Sequence, residues 1–285
     1  MTEQPDPDTQ RAEMRERWEK AAPGWGRQAE HTREAGMPVS TWMIEQLSLQ
    51  PGQRLLELAA GPGDTGFLAS ELIRPGGTLI CSDASEGMLE VARERARKFG
   101  VENVEFRQLE LEWIDLPAAS VDALLCRWAL MLCLDPAAAM RESRRVLAPG
   151  GRIALAVWDV PAANPWATII TRALIEKGYA SPPAPNAPGM FALAEPGKLG
   201  EMLEDAGFTE VLVEPVELYR LYDSFDEFWD ESVDLSRMLV EALEPLSEDQ
   251  RAAVKARVES FAEQFRDGDG RLLLPGRSLG ASASA

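Results

Sequence analysis

A chain of 285 residues buries roughly 75% of the surface its unfolded form exposes, so it has room for one large domain or for one domain with a sizeable insertion. With 47 acidic residues against 29 basic ones the formal charge is −18. Phosphate contacts need clustered Lys and Arg, so this balance excludes a nucleic-acid partner and argues equally against an anionic membrane surface.

Cys81, Cys126 and Cys133 lie in apolar runs without metal or CxxC spacing, and His31 is the single histidine, so no metal site is expected. The N-terminus is polar and carries no secretory signal, and no apolar run approaches the ~20 residues that span a bilayer; a cytoplasmic location is expected.

Residues 1–10 read as disordered. A helix is expected from Thr9 to Lys20, ahead of the breaker pair Pro23-Gly24, and a second from Val39 to Leu47 before the stop at Pro51-Gly52. Leu55, Leu56, Leu58, Ala59 and Ala60 then form a short apolar run of strand length that carries one acid, Glu57. It breaks at Gly61-Pro62-Gly63, and Phe67 to Ile73 return to a helical pattern. Strand, glycine turn and helix together present backbone N–H groups to an anionic or polar ligand.

Further strands are expected at Thr78–Ser82 (closed by Asp83), Val104–Leu109, Val121–Cys126 and Arg152–Trp158, with helices at Glu86–Phe99 and Pro136–Leu147 between them. Residues 160–196 are rich in proline and alanine around a helix at Trp166–Lys177. A helix at Leu199–Ala206 and a sixth strand at Val211–Leu218 follow, then an acidic helical stretch over 225–266. The weak stretch Ser278–Ser282 is either a closing edge strand or a frayed tail.

Repeated strand–helix alternation with short Gly/Pro connections implies an α/β fold with a doubly wound, Rossmann-like, mostly parallel sheet. Right-handed crossovers gather the strand C-terminal ends along one crevice, where Gly61, Gly63, Asp83, Glu110 and Arg127 all fall. Gly61 to Gly66 satisfies GxGxxG, so a nicotinamide or flavin oxidoreductase is an alternative at this point. Against it, Glu57 would place a negative charge beside a pyrophosphate, the acids Glu110 and Glu112 suit an adenine amino group, and no Tyr-xxx-Lys proton relay follows.

The stretches LLELAAGPGDTG, ICSDASEGMLEVA, FRQLELE and ALLCRWALMLCLDPAAAMRESRRVLAPGGRIALAVWD cover about 55–158. In them the chain resembles the class I S-adenosylmethionine-dependent methyltransferases, in particular the ubiquinone/menaquinone-biosynthesis-like small-molecule branch. The resemblance implies a seven-stranded sheet and S-adenosyl-L-methionine as cofactor. It also implies an N-terminal helical lid segment (1–50), a cofactor-binding core (51–223) with a Pro-rich insertion (160–196), a helical insertion (224–270) and a closing strand or tail (271–285). By the same resemblance Glu57 and the backbone of Ala59 and Gly61 would face the methionine part, Asp83 would hold both ribose hydroxyls, and Gly63 and Ala84 would also belong to the cofactor site. Met88 would pack on the adenine, Glu110 and Leu111 would read its edge, and Arg127 would line the methionine end. Ala59 stands where many members have glycine, and Glu110 where aspartate is commoner.

Most of these positions also have a structural reading. Asp83 could serve as a helix N-cap, Met88 as core, Arg127 as an ion-pair partner, and Glu112 and Asp115 as solvated loop acids. Glu57 lacks such a reading, since an acid in an apolar strand is costly unless something pairs with it. The acceptor is expected to be a small apolar or aromatic molecule bordered by Trp25, His31, Trp128, Met131 and Trp158. No catalytic base is assigned: His31 is the only histidine available for that role, and a proton acceptor is needed only for a nucleophile that must lose a proton. A protein that binds the cofactor without methylating is the remaining alternative. The oligomeric state is left open.

Overall fold

The computed structural model describes residues 6–182 and 187–285, so the expectations for residues 1–5, Pro183 and Pro185 lie outside the described residues. Seven strands form one sheet in the order β3-β2-β1-β4-β5-β7-β6. The first five are parallel: β1 (Arg54–Leu58), β2 (Thr78–Asp83), β3 (Val104–Gln108), β4 (Val121–Arg127) and β5 (Leu147–Trp158). β6 (Thr209–Tyr222) and β7 (Leu272–Ser284) complete the sheet, β7 lying antiparallel to both β5 and β6.

The connecting helices have the ends their sequences encode. In α4 (Glu86–Phe99) the Ser85 side chain accepts from the Met88 N–H at the start, and Gly100 closes the helix in the left-handed region. In α5 (Pro136–Val146) Asp135 caps a helix whose first residue is proline. The other helices are α3 (Asp64–Ser70), α6 (Pro165–Glu176), α7 (Lys198–Asp205), α8 (Phe225–Leu235), α9 (Arg237–Leu243) and α10 (Glu248–Ala262).

Three expectations are corrected. The N-terminal helix α1 (Pro7–Arg27) begins inside the stretch read as disordered, capped by Asp6, and runs through Pro23-Gly24. Gly24 is a packing glycine rather than a stop: a Cβ there would overlap the Asp234 carbonyl of α8. Likewise α2 spans Ala29–Leu47 with Pro38 inside it, ten residues longer toward the N-terminus than its apolar stripe suggested. Third, the chain's last stretch is neither an edge nor frayed. β7 has thirteen residues, pairs from Arg152↔Ser284 to Trp158↔Ser278 with β5, and leaves the edge to β6.

The core has two main parts. One surrounds the parallel strands and takes in Val39, Met43 and Leu47 of α2 together with Ala281 and Ala283 of β7. The other joins α6, α8, α9 and α10 to Tyr222, Leu272 and Leu274. Two ends of the same strand therefore serve two cores.

Candidate functional site

Strand order reverses between β1 and β4, which places a crevice outside their C-terminal ends. The glycine turn after β1 forms one wall. Ala59 sits at φ 48° and Gly61 at φ 52°, and a Cβ at Gly61 would meet nothing within 4 Å, so this backbone faces open space. The turn is tied to β2 twice: Ala60 N–H donates to the Ser82 carbonyl (2.8 Å) and Gly61 N–H to Asp83 Oδ2 (2.9 Å). Asp83 Oδ1 accepts from Ser85 N–H at 2.9 Å, yet burial pushes this carboxyl up to about 6 despite both N–H groups. Ser85, not Asp83, caps α4 through its side chain.

Glu57 is 3% exposed. Its Oε1 accepts from Gly66 N–H in α3 at 2.9 Å, while Oε2 is buried without a hydrogen-bond partner. A Cβ at Gly66 would collide with that same carboxylate, so glycine there is what lets α3 sit on Glu57. Burial pushes the Glu57 carboxyl up to about 8, outweighing the Gly66 N–H and Arg127. Asp64, the first residue of α3, lies between two guanidinium groups: Arg95 Nη2 at 2.6 Å and Arg127 Nη2 at 3.1 Å. Arg127 Nη1 also donates to Ser40 Oγ of α2 at 3.0 Å, and Ser40 is within 3.0 Å of Thr65. This buried group holds two cations against one anion beside the glycine turn.

Helix α1 lies across the β2–β3 end as a strap. Arg11 pairs with Glu112, Arg15 with Glu110 (3.0 Å), and Glu19 accepts from Ser85 Oγ (2.7 Å) and Gly87 N–H (3.0 Å). Met88 is buried under Ala21 and Ala22, with Trp18 and Trp25 against them. Glu112 is thus an anchor, not a solvated acid; its other oxygen accepts from Asp135 N–H. Asp115 is exposed. The carbonyl of Ala84 accepts from Gln108, and Leu111 is half-buried beside Glu110.

On the β4–β5 side, Trp128 takes φ 59°, an uncommon conformation for a bulky side chain. Its ring stacks on Trp158 with centroids 4.2 Å apart and its Nε1 donates to Ser278 Oγ at 2.8 Å. Trp166 meets Trp158 edge-on, and guanidinium groups cover both ends of the column, Arg127 over Trp128 and Arg220 over Trp166. Met131 and Trp158 are buried in the core. Trp25 donates its Nε1 to the Leu235 carbonyl, in the joint between α1 and α8.

His31 belongs to a separate network. Its Nδ1 is 3.0 Å from Glu231 Oε1 and its Nε2 is 2.8 Å from the Leu221 carbonyl. Glu231 also accepts from Arg220 (2.8 Å) and from the Tyr222 hydroxyl. Burial works against the charge on Glu231, but Arg220 and His31 outweigh it and hold the carboxyl down at about 2. Of the sequence-derived residues, the structure brings Glu57, Ala59, Gly61, Gly63, Asp83 and Arg127 together around the glycine turn and the start of α3. Glu110 and Met88 lie under α1, Leu111 packs against the main core, and His31 stands apart. Asp64, Arg95, Ser40 and Glu19 went unread; only Asp64, directly after the glycine pair, carried a local signal.

Residues 49–207, more than half of the chain, match the family described as methyltransferase domain. The chain belongs to the class I S-adenosylmethionine-dependent methyltransferases. Among curated relatives it is 33% identical over 127 residues to the ubiquinone/menaquinone biosynthesis C-methyltransferase UbiE of Pasteurella multocida, a match covering 44% of this chain and 47% of that one. To the protein of the same name from Cronobacter sakazakii it is 29% identical over 177 residues, covering 62% of this chain and 64% of that one. The chain therefore spans less than two thirds of each. The YcgJ protein from Bacillus subtilis shares the fold, with a TM-score of 0.57 at 21% identity over 86% of this chain and 97% of that one. For this family the methyl donor is S-adenosylmethionine, which sets the nicotinamide alternative aside. Among the described residues no helix is long and apolar enough to cross a membrane.

Proposed function

We propose that this protein transfers a methyl group from S-adenosylmethionine to a small apolar or aromatic acceptor bound over the C-terminal ends of β4 and β5. The observation that carries this is the pairing of Asp83 with the glycine turn at the switch point of the sheet. A carboxylate at the end of β2, bonded through Gly61 N–H to the turn, is set to accept from a vicinal hydroxyl pair. The residues fit the donor in two further respects. The backbone at Gly61 is open, and Glu57 keeps a buried oxygen without a partner near the turn, which suits a ligand with cationic groups. Glu110, Leu111 and Ala84 would border the adenosine, Met88 would do so only if α1 moved off it, and Arg127 would meet the amino-acid end.

S-adenosylmethionine supplies an already activated methyl on a sulfonium, so alignment is the main demand on the protein. The chain's own groups favour an acceptor that needs no proton removed. His31 has both ring nitrogens engaged and the Tyr222 hydroxyl is given to Glu231. Burial pushes the Cys126 thiol up to about 12. The aromatic column of Trp128, Trp158 and Trp166 beside Arg127 supports an apolar or aromatic acceptor at its edge, since both faces of Trp128 are already covered by Trp158 and Arg127.

Calorimetry of the protein with S-adenosylmethionine, S-adenosylhomocysteine and NAD tests the donor. Binding of NAD alone would overturn the proposal. Asp83→Ala should weaken S-adenosylmethionine binding tenfold or more, about 1.4 kcal/mol; unchanged affinity removes the ribose role. A methyl-transfer screen over phenols, quinols, amines and thiols then identifies the acceptor.

A further inference from the structure

We propose that helix α2 is a beam that couples the cap, the helices α8–α10 packed on β6, to the cofactor crevice, with a doubly protonated His31 latching one end and Ser40 holding Arg127 at the other. A proton on His31 and a ligand in the crevice then favour each other.

The latch follows from donor and acceptor bookkeeping. The peptide carbonyl of Leu221 accepts only, and Glu231, already facing Arg220 and the Tyr222 hydroxyl, is an ionised acceptor too. A ring that satisfies both must donate from both nitrogens, and only the imidazolium does so. The charged and titratable neighbours agree. From α8 come Glu231 and Asp234, the latter committed to Arg27 and Gln28; from β6 come Arg220, whose charge opposes a second cation, and Tyr222, whose ring meets His31 edge-on at 4.7 Å. The Glu231 hydrogen bond raises His31 above its usual value and exceeds the effect of burial. Because the folded value is raised, this contribution is complete below the ordinary histidine range of about 6.5 and is lost as pH rises through the folded value.

The far end of the beam is equally definite. Ser40 lies nine residues after His31, two and a half turns on, and so on the opposite side of α2. There it accepts from Arg127 Nη1, and a Cβ at Gly36 would overlap the same nitrogen, so the α2 backbone rests on the guanidinium. Arg127 in turn holds Asp64, the residue that opens α3 after the glycine turn. Movement of α2 at the cap therefore displaces a group that borders the crevice. Coupling of this kind is reciprocal: what a proton does for the ligand, the ligand does for the proton.

The coupling half of this proposal rests on the cofactor assignment above; the latch does not. His31 is the only histidine of the chain, so its ring Cε1–H resonance can be titrated in the whole protein without ambiguity. In the free protein the midpoint should lie above about 6.5. Saturation with S-adenosylhomocysteine should raise it further, and affinity for S-adenosylhomocysteine should fall about fivefold across the same transition. His31→Asn should lose that part of the pH dependence which wild type shows and which Asp83 and Glu57 do not supply. A midpoint at or below about 6.5 in the free protein overturns the latch. An unchanged midpoint on saturation, or the same pH dependence in His31→Asn, overturns the coupling. If S-adenosylhomocysteine does not bind wild type at all, the cofactor assignment and the coupling fall together, and the free-protein titration still decides the latch.

Discussion

Two glutamates are buried among the described residues, Glu57 in the parallel half of the sheet and Glu231 over its antiparallel flank, and their surroundings treat them in opposite ways. Glu231 receives Arg220, His31 and the Tyr222 hydroxyl, and stays ionised down to about 2. Glu57 receives one backbone N–H, keeps an oxygen without a partner, and is pushed up to about 8. The first is a closed account in which both oxygens have donors, as expected where helices α8 and α2 are being held together. The second is left short of donors beneath α3, next to the glycine turn. A buried acid with all its partners in the chain holds structure; one lacking a partner is suited to a ligand that brings it.

The largest effect should come from removing the closed network's centre. Glu231→Leu leaves Arg220 buried without its anion and should cost about 3–5 kcal/mol in urea unfolding; a loss under 1 kcal/mol would mean that the network is dispensable. Next comes pH. Glu57, whose folded value is raised, makes the native state hold its proton longer than the unfolded chain does. Stability should therefore fall as pH rises from about 5 to 8, by up to about 1.4 kcal/mol per unit, and Glu57→Gln should flatten this slope. Glu231 has the opposite sign: its folded value is lowered, so its contribution is present above about 4.5 and is lost as pH falls toward 2. Thermal melts of wild type and Glu57→Gln from pH 2 to 8 separate the two groups, and a wild-type curve that rises from pH 5 to 8 would refute the contrast.

Smaller effects probe the strand that the two halves share. A Cβ at Gly280 would run into the ring of Trp42, so Gly280→Val should overpack the β7–α2 contact and cost about 1–3 kcal/mol, with a change in tryptophan emission. Smallest is Ala59→Gly. It relieves about 1 kcal/mol of left-handed strain but adds the backbone entropy of glycine, leaving a gain of no more than about 1 kcal/mol in the melting free energy.

Much of the parallel half could be read in advance. Asp83 announces itself because a strand end, a glycine turn and a capped helix all lie within some thirty residues of chain. The C-terminal strand could not be read in the same way. Gly280, Ala281, Ser282, Ala283 and Ser284 have little side-chain bulk and little strand propensity, and they look like a tail. They are a buried central strand because α2 lays Trp42 over them and β5 and β6 pair on both sides. Small residues are what allow that helix to approach.

The same division holds for the chemistry. Local order along the chain determined the sheet class, the glycine turn and the placing of Glu57, Asp83 and Arg127 at strand ends, since each depends on neighbours a few residues away. Only the tertiary structure decided that His31 and Glu231, 200 residues apart, share a proton-dependent contact, that Arg127 is gripped by Asp64 and Ser40, and that α1 closes over Met88. The reason is physical. Periodicity and capping are written in short-range sterics and hydrogen bonds, whereas the charge state of a buried group depends on partners that only packing brings within 3 Å.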